Sequence, residues 1–183
     1  ENMRQEKEMN KIEMLNKIIE THPQFKEFSL AYDAIGKVLN CPIQKAKDIA
    51  KTHCNMLSFW AILKAGEQYN GSYSDFFKFC LGENFCTEKG FIKDKAGILS
   101  QLCIESKLVT YRDYEDIINP SIRLNPDKFY QIKIKANTRG DHFMACYIQD
   151  GVLYLSDTSY RGIGVKALDY VNENNFQKIS EVV

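Results

Sequence analysis

Two strand-like runs meet at Asp150-Gly151: HFMACYIQ, residues 142 to 149, and VLYLSD, residues 152 to 157. Asp-Gly is a favoured two-residue hairpin loop, because both central residues of the tight turn need positive φ. With that loop Gln149 faces Val152, Ile148 faces Leu153, Cys146 faces Leu155 and Met144 faces Asp157. His142 stands two residues from Met144 and shares its face. Asp157 is therefore its diagonal neighbour, about 7–8 Å away between backbones. A one-residue slip would exchange the faces and destroy the pairing. Both faces of the hairpin are rich in apolar residues, so these are expected to be central strands of a sheet covered on both sides. A histidine opening one strand and an aspartate closing the next serve no obvious purpose in the sheet itself. A carboxylate so placed holds an imidazole in one tautomer and stabilises its cation.

The chain before the hairpin reads differently. Met3, Met9, Ile12, Leu15, Ile18 and Ile19 recur at helical spacing among Lys, Glu and Asn, predicting a helix over 3–20 that His22-Pro23 ends. Further helices are expected over 29–39, 42–51, 74–80 and 95–106, with a short helix or turn over 113–118. HCNMLSFWAILKAGE, residues 53 to 67, is apolar nearly all round, the mark of a helix buried on every side. Its expected stop is Gly66 and the polar Asn70-Gly71-Ser72. Then the period changes: over 129–136 Tyr130, Ile132, Ile134 and Ala136 alternate with Gln131, Lys133 and Lys135. A later strand is expected around 164–168. Helices first and antiparallel strands last make an α+β fold, not the alternation of βαβ units. There is no internal repeat and no low-complexity linker. The expected organisation is a helical segment over 1–40, part of the fold or an appended arm, followed by a domain over 41–183.

The 183 residues suit one domain, and 44% hydrophobic with 12% aromatic content is enough for a core. Twenty-four basic residues balance twenty-four acidic ones. Zero net charge argues against nucleic acid or an anionic membrane surface as the main partner. No run reaches membrane-spanning length and no signal peptide is visible, although a chain starting at Glu1 leaves room for a removed leader. Cys41, Cys54, Cys80, Cys86, Cys103 and Cys146 match no zinc or redox spacing. Most stand among apolar neighbours, which favours a reducing, cytoplasmic setting in a bacterium or its host. No metal or cofactor is implied, and the absence of a His-x-Glu with a paired Cys-x-x-Cys excludes a zinc deaminase. Arg139-Gly140-Asp141 is read as the turn that delivers His142, not as an adhesion tripeptide.

A His–Asp pair needs a nucleophile. Cys54 sits where the buried helix begins, and a helix N-terminus favours a thiolate through its dipole and its free N–H groups. The other five cysteines lack this setting. Cys54 at a helix start, about ninety residues, His142 opening a strand and Asp157 ending the next form a nucleophile–base–orienter order.

In these features the chain resembles the papain-like cysteine peptidases. It is most similar to the bacteriocin-leader peptidase branch and to an uncharacterised group of plasmid- and phage-borne bacterial proteins. The resemblance spans about residues 40 to 168 and is most specific over HFMACYIQDGVLYLSDTSYRGIG. It implies a nucleophile helix packed on the sheet, with Cys54 as nucleophile, His142 as general base and acid, and Asp157 as the residue orienting His142. The expected substrate is a peptide or protein amide. The family usually carries a Gln shortly before the nucleophile to hold the oxyanion. Here Asp48 stands six residues upstream, with Gln44 ten residues upstream and Asn55 directly after Cys54. Gln44 or Asn55 is the expected substitute. Tyr160 and Arg161, in TSYRGIG, are the expected substrate-groove residues, against the plainer reading of Arg161 as a surface ion pair. Two alternatives stand beside the peptidase. One is a catalytically weak papain-like binding module of a mobile element, acting on a host protein. The other is a peptidoglycan peptide amidase, which the absence of an export signal or wall-binding repeat disfavours. Oligomeric state is not legible.

Overall fold

The computed structural model describes residues 2–23, 29–136, 140–157 and 162–183, with side chains from residue 11 onward. Six helices come first: α1 (Asn2–Thr21), α2 (Leu30–Leu39), α3 (Ile43–Ala50), α4 (Cys54–Ala65), α5 (Tyr73–Gly82) and α6 (Lys95–Gln101). A short strand β1 (Thr110–Tyr111) and two single-turn helices, α7 (Glu115–Ile118) and α8 (Pro120–Arg123), lead into the sheet. The remaining strands are β2 (Tyr130–Ala136), β3 (Gly140–Gln149), β4 (Val152–Asp157), β5 (Gly162–Lys166) and β6 (Phe176–Glu181), with a 3₁₀ turn over Ala167–Asp169. The fold is α+β, as the change of period at residue 129 implies.

The sheet runs β1-β6-β2-β3-β4-β5, and its ladders are antiparallel. The hairpin has the expected register, with Cys146 opposite Leu155 and Gln149 opposite Val152. Asp150 and Gly151 carry φ of 51° and 76°, the left-handed pair that a type I′ turn demands. β3 lies between β2 and β4, inside the sheet.

One face of the sheet is covered by the helical layer. α4 is the centre of that layer, and Met56, Phe59, Trp60, Ile62 and Leu63 are all at most 1% exposed. Leu15 and Ile19 of α1 and Ile35 of α2 join the same cluster, as do Ala145 and Tyr147 of β3. Helical residues before position 40 thus pack into the core that holds α4. Met144, Cys146 and Ile148 point to the opposite face, where Ile117, Leu124 and Ala167 close a second cluster.

One of the helix stops differs from the expected one, while α4 stops at Gly66 as expected. α6 ends at Gln101 rather than near Ser106. Cys103 takes a left-handed φ of 56°, and Ile104 N–H returns to the Leu99 carbonyl at 2.8 Å. That is a Schellman closure, with buried Ile104 beside Leu99 as its hydrophobic contact. α4 closes in the same way on Glu67, φ 58°, with Gln68 N–H bonding the Leu63 carbonyl. Both left-handed residues are ones that sequence punctuation by glycine overlooks. β6 has no counterpart in the sequence analysis. Its pairing with both β1 and β2 carries the chain's last strand into the sheet interior.

Candidate active site

Cys54 is the first residue of α4, and His53 before it acts as N-cap without a side-chain cap bond. The first N–H groups of a helix have no intrahelical acceptor, so the opening turn presents free donors and a partial positive charge. Two contacts hold this corner. Thr52 Oγ1 donates to the Lys89 carbonyl at 2.6 Å, and His53 Nε2 donates to the Glu88 carbonyl at 2.8 Å. A carbonyl only accepts, so Nε2 carries the proton and Nδ1 accepts from the Tyr73 hydroxyl at 2.5 Å. Burial pulls the His53 pKa down to about 4, only partly opposed by the Glu88 bond, so the ring is neutral. Gly90 lies against this ring. A Cβ there would come within 2.7 Å of it, and φ is +82°, so the 87–91 turn tolerates no side chain at that point.

His142 meets Cys54 from the sheet. By strict alternation it belongs with Met144 and Cys146, on the face away from α4. It stands near the start of β3, however, and its imidazole hydrogen-bonds both the Cys54 thiol and Asp157. Nε2 is 2.8 Å from Asp157 Oδ2, and each of the two side chains is 10% exposed. The carboxylate accepts a hydrogen bond from Nε2–H, so Nδ1 is the ring nitrogen for the thiol. Burial alone would lower the His142 pKa. The hydrogen bonds to Asp157 and Cys54, with their charges, outweigh it and raise the value to about 9. The imidazole is therefore a cation at neutral pH. The three residues lie together, with the thiol acting on His142 and Asp157 bonded to it.

A cavity of about 360 Å³ opens over this line. Cys54, Asn55 and His142 form part of its wall, with Phe91, Ile92 and Phe143 as the apolar side. Lys133 at its edge pairs with Asp141 at 3.3 Å.

The two expected oxyanion residues separate. Gln44 is exposed on α3 and does not line the cavity. The chain breaks helix between Ala50 and Cys54, so counting helical turns back from Cys54 does not carry Gln44 toward the site. Asp48 is also exposed, paired with Lys51 at 3.5 Å. Asn55 is buried, 6% exposed, and lines the cavity beside Cys54. Tyr160, Arg161 and Arg139 lie outside the described residues.

Sequence reasoning missed two residues here. Gln131 reads as the polar side of an alternating strand, yet it is 3% exposed. Its Nε2 donates to the Asn55 carbonyl at 3.0 Å, to Asn55 Oδ1 at 3.2 Å and to Ser58 Oγ at 2.8 Å. Lys95 Nζ donates to Gln131 Oε1 at 2.5 Å, and its ammonium lies 4.8 Å from the centre of the Phe143 ring. Burial, with Lys178 and Lys133 nearby, pulls the Lys95 pKa down to about 7. Only the interruption of apolar periodicity by single polar residues signals either position.

Among the described residues no cluster of His, Cys, Asp and Glu could hold a metal ion, and no helix is long and apolar enough to cross a membrane. All six cysteines are free. No protein-family model matches the chain, and no curated protein matches it.

Proposed function

We propose that the protein is a papain-like cysteine peptidase or amide hydrolase with Cys54, His142 and Asp157 as its triad. The observation that carries this reading is the meeting of three groups: Cys54 at the start of a buried helix, His142 beside it on the same cavity, and the buried Asp157 carboxylate bonded to His142 at 2.8 Å. His142 holds as an imidazolium the proton that the thiol gives up, and the Cys54 thiolate attacks the carbonyl carbon of a peptide amide. The Cys54 N–H and the Asn55 amide hold the oxyanion. The imidazolium gives its proton to the leaving amine as the C–N bond breaks, and water then hydrolyses the thioester. Asp157 keeps His142 in the productive tautomer throughout.

The test is alkylation of the native protein with iodoacetamide over a range of pH, each cysteine followed by mass spectrometry. The reading requires that Cys54 label faster than the other five at neutral pH and that His142→Ala abolish the difference. Slow, His142-independent labelling of Cys54 would sink it. The binding-module alternative would then be preferred, since Asp48 faces solvent where the family usually places an oxyanion glutamine.

A further inference from the structure

Gln131 and Lys95 lie behind the site rather than in it, and an amide has two ends that only its neighbours can tell apart. The Lys95 ammonium has no acceptor, so in its charged form it fixes which end of Gln131 is oxygen, and the acceptors on the α4 side agree. The Nε2 end must then face α4, where it meets acceptors alone: the Asn55 carbonyl, Asn55 Oδ1 and Ser58 Oγ. Ser58 Oγ in turn donates to the Cys54 carbonyl at 2.6 Å. Because Oδ1 of Asn55 is turned toward Gln131, its Nδ2 end is the one left to donate, and Asn55 lines the cavity next to the thiol. Each link excludes the flipped alternative of the next.

We infer that Lys95 is a positioning residue for acyl transfer, acting through Gln131 to hold the Asn55 amide with its N–H end toward the developing oxyanion. This rests on the peptidase reading of Cys54 and His142. It assigns a purpose to a lysine whose amine is half-buried between Phe59 and Phe143, 5.7 and 4.8 Å from the ring centres, where part of its hydration is lost. A hydrophobic residue of similar shape would pack there without that cost, but would leave Gln131 free to turn over.

The experiment uses two probes on the same protein. Iodoacetamide reports on the Cys54–His142 pair and needs no oxyanion donor. p-Nitrophenyl acetate requires one. The thiolate adds to the acyl carbon, the carbonyl electron pair moves to oxygen, and collapse expels p-nitrophenolate and leaves acetyl-Cys54, which water hydrolyses. Release of p-nitrophenolate is followed by absorbance and the acetyl group by mass. Lys95→Met is expected to slow acetylation about tenfold more than it slows alkylation of Cys54, whose charge the lysine also feels. Asn55→Ala is expected to slow acetylation about a hundredfold, within the range for loss of an oxyanion donor. Taken relative to its own alkylation rate, the double variant should acetylate no slower than Asn55→Ala, because Lys95 acts on the oxyanion through that amide. Gln131→Glu keeps the bond to Lys95 but removes the Nε2 donor, so it should reproduce the Lys95→Met defect even if that variant folds poorly. The inference is overturned if Lys95→Met adds its full effect to Asn55→Ala, or if Gln131→Glu acetylates at the rate of the parent. Failure of the peptidase reading looks different: Cys54 of the unaltered protein would not label fast with either probe.

Discussion

Two histidines flank Cys54, one next to it in the chain and one next to it in space, and their surroundings drive them in opposite directions. His53 is fully buried, donates to a carbonyl and accepts from a hydroxyl, all neutral partners. Only the Glu88 carbonyl favours its cation, too weakly to offset burial, and its pKa falls to about 4. His142 is nearly as buried, yet a carboxylate and a thiol bond its ring, and its pKa rises to about 9. The contrast teaches that burial alone does not set a histidine's charge; the sign of the partner does. It also separates two duties. His53 ties the start of α4 to the 87–91 turn, whereas His142 is placed to do chemistry.

The sharpest way to break this contrast is to remove each ring. His142→Ala should lower acyl transfer by about 10⁴-fold or more, because thiol deprotonation and leaving-group protonation are lost together. p-Nitrophenyl acetate turnover measures this, and a loss of less than tenfold would place the base elsewhere. Asp157→Asn comes next, with a loss of up to about 10⁴-fold. It should also move the His142 titration, followed by NMR, down from about 9 toward 6.5. A titration that stays put would mean the carboxylate does not hold the cation.

Stability should carry both signatures, in opposite pH windows. The raised folded-state pKa of His142 stabilises the protein fully below 6.5, and that contribution is lost as pH rises to about 9. The depressed pKa of His53 works the other way. Its neutral state is matched above 6.5, and stability is lost as pH falls toward 4. Each arm is on the order of 3 kcal/mol, from shifts of that size. Urea melts from pH 4 to pH 10 should show a maximum near pH 6–7. Asp157→Asn should flatten the alkaline arm alone.

His53→Phe should cost about 2 kcal/mol of stability by leaving the buried Tyr73 hydroxyl and the Glu88 carbonyl without a partner. The folded fraction should keep acyl transfer within a few-fold of the parent. An activity loss matching that of His142→Ala would erase the distinction between the two rings. The smallest effect belongs to Gln44→Ala. An exposed side chain on α3 should change neither activity nor stability by more than about 0.5 kcal/mol.

Much of this arrangement is legible in the residues. The hairpin register follows from Asp150-Gly151 and an alternation that tolerates no slip. The burial of α4 on all sides follows from a helix-length run with no polar face, and the α+β layout from the single change of period near residue 129. Other parts were not legible. β6 alternates weakly, with Phe176 and Ile179 its only large apolar residues, so local pattern cannot distinguish it from a polar tail. Its place next to β2 is decided by pairing over a long sequence distance. Gln131 shares the period of a solvent face because alternation says which side a residue takes and not what covers that side.

What the sequence by itself determined is local and one-dimensional: the helical run from Cys54, the hairpin turn, and the placing of His142 and Asp157 as diagonal neighbours. Those depend on φ/ψ preferences and on periods of 2 and 3.6 residues, which operate within a few neighbours. Tertiary structure alone decided that His142, on the parity of the far face, reaches the Cys54 thiol near the start of its strand. It also decided that Gln44 is stranded in solvent while Asn55 lines the cavity, and that Lys95 and Gln131 meet behind it. These outcomes depend on where α4 docks against the sheet, and docking is settled by the packing of whole side-chain layers from distant segments, which no local pattern encodes.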